Sequence, residues 1–252
     1  MRIMKTYKII VSYDGTDYSG WIQQRNQPSI VQTLQDTFAR IFGHSIVLLG
    51  ASRTDAGVHA LGQVARFHTS LVMEQKQLMA WNNALPDSIV IHSLVEHDQF
   101  HPLHDVEQKI YQYHFSVNRP SPIVARYVHH VTYPLDMDKL VAALALFQGT
   151  HNFAAFYTGN DRPDTIRTIR SISLDYAPEY AAYRVTIIGA TFLRHMVRRM
   201  VGAALAVAIR DHMQPALIQQ ALTTGAMHSD LPTAPAKGLM LYGIEYKKKD
   251  TL

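Results

Sequence analysis

The chain contains no cysteine, which excludes disulfide bonds and thiolate metal sites and fits a reducing compartment. No apolar run among its 252 residues reaches the length of a membrane-spanning helix. Met1 to Lys5 lead directly into a strand pattern, without an apolar signal region or a cleavage site. From these absences we expect a cytoplasmic protein.

Charged residues are also scarce, at 17% of the chain, which argues against a highly charged binding tail. The net charge of +4 leaves nucleic acid, a nucleotide or no particular anion open as partners. Hydrophobic residues make up 47%, as is typical of a globular protein. The length suits one large domain or two small ones, each able to bury a core.

Several catalytic signatures are missing. The chain has no Walker or Rossmann glycine pattern, and Gly50–Thr54 lacks the second glycine of a hydrolase nucleophile elbow. Fourteen histidines invite a metal site, but Pro102 interrupts the pair His101 and His104, and no third ligand stands out. We therefore expect no metal.

The first half of the chain has the order β-α-β-β-α-β, which is typical of a ferredoxin-like unit. Alternating apolar residues predict strands, and apolar residues spaced three and four apart predict helices. The predicted elements are a strand over 7–13, a helix between Ser29 and Gly43, strands over 46–49 and 63–67, a helix before Pro86, and a strand over 89–95.

The second half repeats this order with one added helix. Its predicted elements are strands over 111–117, 165–176, 183–189 and 240–246, and helices over 136–149, over 191–210 and from Pro215. We therefore predict an α+β fold with an N-terminal half over 1–105 and a C-terminal half over 106–252. We expect the halves to share a mixed, mainly antiparallel sheet; the alternative is two independent domains.

The segment Gly50–His59 concentrates reactive side chains between two predicted strands. Asp55 follows Arg53 by two residues, and a carboxylate kept ionised by a nearby guanidinium can act as a nucleophile or a base. Glycines in the segment let the backbone approach a ligand closely. The alternative is an ordinary connection in which Asp55 caps a turn.

Two further groups have both a structural and a functional interpretation. The basic residues of the predicted long helix bind phosphates or form a solvated stripe, and Arg194 and Arg198 project from one side because they are four apart. Tyr111 and Tyr113 share one face of a strand, where aromatic residues usually pack in a core and more rarely stack on a base.

Taken together, these residues resemble the motifs of the TruA-type tRNA pseudouridine synthases. Residues 53–60, Arg-Thr-Asp-Ala-Gly-Val-His-Ala, match the active-site motif of that family as it stands. The other matches follow in order along nearly the whole chain: Tyr13–Thr16, Gly20–Trp21, Gly62–Val64, Leu85–Pro86, Phe100–His101, Tyr111–Tyr113, Phe192–Arg198 and Thr233–Leu239.

The resemblance implies an isomerase that converts uridine to pseudouridine in the anticodon stem-loop of tRNA, without a cofactor and as a homodimer. The catalytic aspartate of the family falls on Asp55, and its uracil-stacking tyrosine falls on Tyr111. Arg198 corresponds to the arginine that pairs with the aspartate, and Arg53 to the one associated with base flipping. The remaining candidate RNA contacts are Arg194, His195 and Arg199.

The chain departs from the family pattern at three places. Ser52 stands where glycine is common, Leu103 replaces an arginine, and Gln108–Ile110 replaces a more arginine-rich segment. These departures affect how the protein binds RNA, and therefore which uridines it modifies. They keep two alternatives open, namely a non-catalytic tRNA-binding or tRNA-folding module and a related synthase that acts on other RNA positions.

Overall fold

The computed structural model describes residues 3–22, 27–159, 163–226 and 228–247. Met1 and Arg2, part of the predicted entry into the first strand, lie outside the described residues. The chain forms two compact units, Met1–Glu107 with Leu241–Leu252 and Gln108–Met240. The predicted division of the chain into halves at residue 105 stays a prediction.

The first unit has the predicted order β-α-β-β-α-β, and a last strand of the chain joins its sheet. Its elements are β1 Lys5–Tyr13, α1 Ile30–Phe42, β2 Leu49–Gly50, β3 His59–Thr69, α2 Gln75–Ala84 and β4 Ile89–Glu96. The strand order is β4-β1-β3, with β2 also paired to β3. All of these pairs are antiparallel.

The helix α1 shows how local sequence sets these boundaries. The Ser29 hydroxyl accepts a hydrogen bond from the amide of Gln32 at the helix N-terminus, and Gly43 ends the helix with φ of 76°. Phe38 packs from α1 against Phe67 of β3 and Trp81 of α2, with ring centroids 5.6 and 4.9 Å away. These three aromatic rings form the centre of the first core.

The second unit contains more strands than the sequence predicts. The elements that follow β4 are β5 Val106–Ser116, β6 His129–His130, α3 Met137–Ala145, β7 Gly149–Asn152, β8 Ile166–Ala177, β9 Ala182–Gly189, α4 Met196–Ile209, α5 Ala216–Thr224 and β10 Leu239–Tyr246. The strand order within the unit is β5-β9-β8-β7, and β6 pairs parallel to β5. From Leu241 onward β10 belongs to the first unit.

Two predicted elements are wrong in extent. The strand over 46–49 is reduced to Leu49–Gly50, because the amide of Leu48 donates to the side chain of Gln35 at 2.8 Å instead of to a neighbouring strand. The long helix begins at Met196 and not near residue 191, because His195 takes a left-handed conformation with φ of 63°. Arg194 and His195 therefore precede α4.

The pairs β1–β3, β1–β4, β2–β3, β5–β9, β7–β8 and β8–β9 are antiparallel, and β5–β6 is parallel. The mixed, mainly antiparallel α+β class is therefore confirmed. Within the described ranges, no helix combines the length and the apolar character needed to cross a membrane.

Candidate active site

The Asp55 loop, residues 51–58, connects β2 to β3 in the first unit. The amide of Val58 donates to the carbonyl oxygen of Asp55 at 3.1 Å, so the chain turns directly after the carboxylate. Gly57 takes the positive φ of 74° in this turn. Arg53 is exposed and Asp55 is half-buried. One short segment therefore presents a guanidinium and a carboxylate.

Residues 13–21, called here the clamp segment, hold this loop in place. The hydroxyl groups of Tyr13 and Thr54 lie 2.7 Å apart in a buried hydrogen bond. The amide of Trp21 donates to the carbonyl oxygen of Thr54 at 3.1 Å. The amide of Gly57 donates to the carbonyl oxygen of Tyr18 at 3.2 Å. The backbone on both sides of Asp55 is therefore bonded to the clamp segment.

Two glycines make this close approach possible. A Cβ atom on Gly15 would overlap the carbonyl oxygen of Val58, and one on Gly20 would overlap that of Thr54. Gly20 also has φ of 102°, which residues with a side chain rarely adopt. The contact between the clamp segment and the Asp55 loop therefore excludes side chains at both positions.

Ser52, the departure inside the motif, bonds to Gln63 through its backbone. Its amide donates to Oε1 of Gln63 at 3.2 Å, and its carbonyl oxygen accepts from Nε2 of the same residue at 2.7 Å. Gln63 is fully buried. These two bonds need no particular side chain at position 52, so they form equally well with serine or glycine there.

Tyr111 and Tyr113 lie on β5 and have different surroundings. Tyr111 is 6% exposed, and its ring packs edge to face on Phe192 with centroids 5.0 Å apart. Tyr113 is fully buried, and its hydroxyl donates to the carbonyl oxygen of Pro235 at 3.0 Å. Burial raises the pKa of Tyr113 far above its usual range, although the nearby Arg198 opposes the shift. Tyr113 is thus a core residue.

The basic residues around α4 do not share one side of the helix as the predicted helix over 191–210 would place them. Arg194 is exposed and lies before the helix, and its carbonyl oxygen accepts from the amide of Thr158 at 3.2 Å. The predicted i to i+4 relation between Arg194 and Arg198 is therefore wrong, because His195 interrupts the helical geometry.

The two arginines that do lie on α4 donate to main-chain carbonyl groups. Nη1 of Arg199 lies 3.1 Å from the carbonyl oxygen of Ala155 and 3.2 Å from that of Tyr157. Burial lowers the pKa of Arg199. Nε of Arg198 donates to the carbonyl oxygen of Ala234 at 2.9 Å. Both guanidinium groups therefore help to hold the second unit together.

Residues 232–238, called here the strap, run along α4. The amide of Ala234 donates to the carbonyl oxygen of Arg198 at 3.0 Å, in addition to the bond from the Arg198 side chain. A Cβ atom on Gly202 would overlap the carbonyl oxygen of Pro232. The strap therefore fixes the direction in which the Arg198 side chain leaves the helix.

The structure also bears on a metal site. His101 and His104 stack with ring centroids 3.8 Å apart. Among the described residues, no group of three or more histidine, cysteine, aspartate or glutamate side chains is placed to hold a metal ion.

Sequence reasoning assigned no role to Tyr13, Thr54 or the strap. Each acts through a contact between distant parts of the chain; Tyr13 and Thr54, for example, are 41 residues apart. The available signal was the pair of glycines that follow Tyr13, because glycine often marks a close approach of two backbone segments.

Known proteins resemble the chain over nearly its full length. A family model described as tRNA pseudouridine synthase matches residues 9–104 and 143–247. The protein called tRNA pseudouridine synthase A in Thermodesulfovibrio yellowstonii is 36% identical over 257 residues, covering 96% of this chain and all of that protein. Proteins of the same name in Acetivibrio thermocellus and Brevibacillus brevis are each 36% identical over 247 residues, with the same coverage.

These matches agree with the resemblance read from the motifs, and they confirm the predicted fold and isomerase class at the level of the family. The identity exceeds 30% over whole proteins, and the matched ranges include the Asp55 loop, α4 and the strap. The chain therefore belongs to the tRNA pseudouridine synthase family.

Proposed function

We propose that this protein isomerises uridine to pseudouridine in the anticodon stem-loop of tRNA and that Asp55 carries the reaction. The observation that carries the proposal is the fixed position of the Asp55 loop. The residue before the carboxylate is bonded through its side chain and its carbonyl group, and the amide of Gly57 is bonded to Tyr18. A reactive group held in this way loses little freedom when substrate binds.

The proposed reaction conserves every atom of the nucleotide. The bond between C1′ of the ribose and N1 of uracil breaks, and a bond between C1′ and C5 forms. C5 releases its proton and N1 takes one up, so there is no net oxidation or reduction. The proposal therefore includes no cofactor, and Asp55 acts directly on the target nucleotide as a nucleophile or a base.

Three other residues have proposed roles at the target base. A base in a stem must leave the stack before a carboxylate can reach its glycosidic bond, and we assign Arg53 to this step. Tyr111 stacks on the flipped uracil, and Arg198 forms an ion pair with Asp55. The exposure of Arg53 and the orientation of Arg198 by the strap support these assignments.

Arg194, His195 and Arg199 are the proposed contributors to RNA affinity. Arg194 is exposed and suits a direct phosphate contact. Arg199 contributes positive charge, since its Nη1 is already bonded to two carbonyl groups. We expect Arg194→Ala to weaken tRNA binding and to reduce the slope of log affinity against log salt by about one. Filter binding at several salt concentrations measures this slope.

The proposal also includes a cytoplasmic homodimer, in which one tRNA contacts both subunits. Light scattering of the purified protein measures its mass directly. A mass of about twice 28.5 kDa supports the dimer, and a mass equal to 28.5 kDa contradicts it.

Tritium release tests the reaction itself. A tRNA transcript carrying uridine labelled with tritium at C5 should release the label to water when the purified protein is added. Asp55→Asn should abolish this release and leave tRNA affinity nearly unchanged. The matched control is Asp36→Asn, which alters an exposed aspartate on α1 of the same unit and should release tritium at the wild-type rate.

The position of the product separates this proposal from the two alternatives. Derivatisation specific for pseudouridine, followed by mass spectrometry, should place the product in the anticodon arm. Product elsewhere in the RNA would favour a related synthase with other target positions. Binding of tRNA without any product would favour a non-catalytic module, and full activity of Asp55→Asn would refute the role of that residue.

A further inference from the structure

The hydroxyl group of Tyr13 has an unusual position for a strand residue. Tyr13 is the last residue of β1, and its ring is 4% exposed. Its hydroxyl lies 2.7 Å from that of Thr54, which is 8% exposed and immediately precedes Asp55. A side chain of the sheet thus contacts the residue next to the proposed catalytic carboxylate.

Two further bonds between the clamp segment and the Asp55 loop are made by main-chain groups. Trp21 bonds the carbonyl group of Thr54, and Tyr18 bonds the amide of Gly57. These bonds fix the course of the chain but leave the Thr54 side chain free to choose a rotamer. The Tyr13 hydroxyl selects that rotamer, because a buried hydroxyl turns toward an available partner.

The end of the loop has a similar anchor. The amide of Gly15 donates to Nδ1 of His59 at 3.1 Å, and the His59 ring is 3% exposed. Bonds to residues 13 and 15 therefore hold the chain at Thr54 within the loop and at His59, the first residue after it, on either side of Asp55. Small movements of a reactive group reduce rate strongly, so the precision of these anchors matters for chemistry.

We propose that Tyr13 is a positioning residue for Asp55 and acts through the hydroxyl group of Thr54. The inference rests on the proposed catalytic role of Asp55 and adds a second residue to that role. Tyr13 does not touch the substrate in this proposal. It holds the Thr54–Asp55 peptide in the orientation from which the carboxylate reaches the target nucleotide.

The first test compares two tyrosines of one strand. Tyr13→Phe removes the hydroxyl and keeps the ring. The control is Tyr7→Phe, since Tyr7 is also buried on β1, donates its hydroxyl to the carbonyl oxygen of Leu71 at 3.2 Å and accepts from the amide of Met73 at 3.0 Å. Six residues of strand, roughly 20 Å, separate the two positions.

The two variants should lower the melting temperature to a similar degree and differ in rate. Under single-turnover conditions with enzyme in excess, Tyr13→Phe should slow tritium release about 10- to 100-fold with unchanged tRNA affinity. Tyr7→Phe should release tritium at the wild-type rate. Equal rates for the two variants would overturn the inference, because loss of a buried hydroxyl would then affect stability alone.

A double-mutant cycle tests whether Tyr13 acts through Thr54. Thr54→Val should slow release as much as Tyr13→Phe, and the double variant should be no slower than the slower single variant. Thr54→Ser, which keeps the hydroxyl, should restore most of the rate. Additive effects of Tyr13→Phe and Thr54→Val would show that the two hydroxyl groups act independently and would contradict the inference.

The failure of this inference is distinguishable from the failure of the proposed function. If Asp55→Asn retains tritium release, the proposed function of Asp55 is wrong and the anchors have no catalytic target. If Asp55→Asn is inactive while Tyr13→Phe releases tritium as fast as Tyr7→Phe, the proposed function stands and the inference about Tyr13 fails.

Discussion

The hydrogen bonds that hold the proposed functional segments differ between the two units. In the first unit, the Asp55 loop is fixed by the residues around Asp55, namely Thr54 and Gly57. In the second unit, Arg198 and Arg199 themselves make hydrogen bonds that join α4 to neighbouring segments. Loss of a bond at Thr54 or Gly57 should therefore move the loop that carries Asp55, and loss of a bond at Arg198 or Arg199 should loosen α4.

The largest expected effect breaks the positioning in the first unit. Gly20→Ala places a Cβ atom against the backbone of Thr54 and Asp55 at φ of 102°, and we expect it to lower the free energy of unfolding by more than about 3 kcal/mol. The control is Gly43→Ala, at φ of 76° with open space around the Cβ, which should cost about 1–2 kcal/mol. Urea denaturation measures both, and equal losses would show that the loop yields to the added methyl group.

The next effect concerns the second unit. Arg199→Ala removes the donor shared by the carbonyl groups of Ala155 and Tyr157, and we expect a loss of about 2 kcal/mol. Arg194→Ala alters an exposed arginine and should change stability by less than about 0.5 kcal/mol. Equal denaturation midpoints for these two variants would contradict the structural role of the Arg199 hydrogen bonds in the second unit.

A smaller effect sharpens the comparison through a second tyrosine hydroxyl. Tyr113→Phe removes the bond to the carbonyl oxygen of Pro235 in the strap, and we expect a loss of about 1 kcal/mol. Its effect on single-turnover rate should be smaller than that of Tyr13→Phe, since Arg198 keeps its own bond to Ala234. A larger effect on rate than that of Tyr13→Phe would show that the strap positions the site more tightly than the clamp segment does.

The last effect is a dependence of stability on pH, which is absent at neutral pH and appears only on acidification. Burial lowers the pKa of His129 on β6 to about 4, and Lys237 and His130 add to the shift. The pKa of His129 in the unfolded chain is near 6.5. The stability gained by keeping this side chain neutral is therefore complete above pH 6.5 and is lost as the pH falls toward 4, because the unfolded chain then binds the proton first. We expect His129→Gln to make thermal stability less dependent on pH over this range. Melting temperatures of both proteins between neutral pH and about pH 4 measure this, and parallel curves for wild type and variant would contradict it.

The sequence predicts elements well where the signals are local. The helix α1 begins after Ser29 and ends at the left-handed Gly43, as the capping pattern predicts. The start of α4 was missed because Phe192 and Met196 continue the apolar spacing of the helix, whereas His195 adopts a conformation that favours glycine. Local periodicity contains no information about that backbone choice.

In the candidate site, too, the sequence predicts the local features and misses the contacts between distant residues. The motif marked Asp55 and Arg53 because reactive groups and glycines are adjacent in the chain. It did not reveal that Tyr13 contacts Thr54 or that Arg199 bonds to Ala155, since these contacts join residues 41 and 44 positions apart. Such pairs depend on how strands and helices pack, which a single sequence does not specify.

The last strand has a consequence for the order of synthesis. A Cβ atom on Gly62 of β3 would lie 2.7 Å from the carbonyl oxygen of Tyr242, so β10 approaches β3 closely within the first unit. The ribosome makes the whole of the second unit between these two strands, which takes on the order of ten seconds. Until then the edge of β3 that faces β10 is covered only by the two-residue strand β2. The nascent chain therefore exposes part of a strand edge with which other chains can pair.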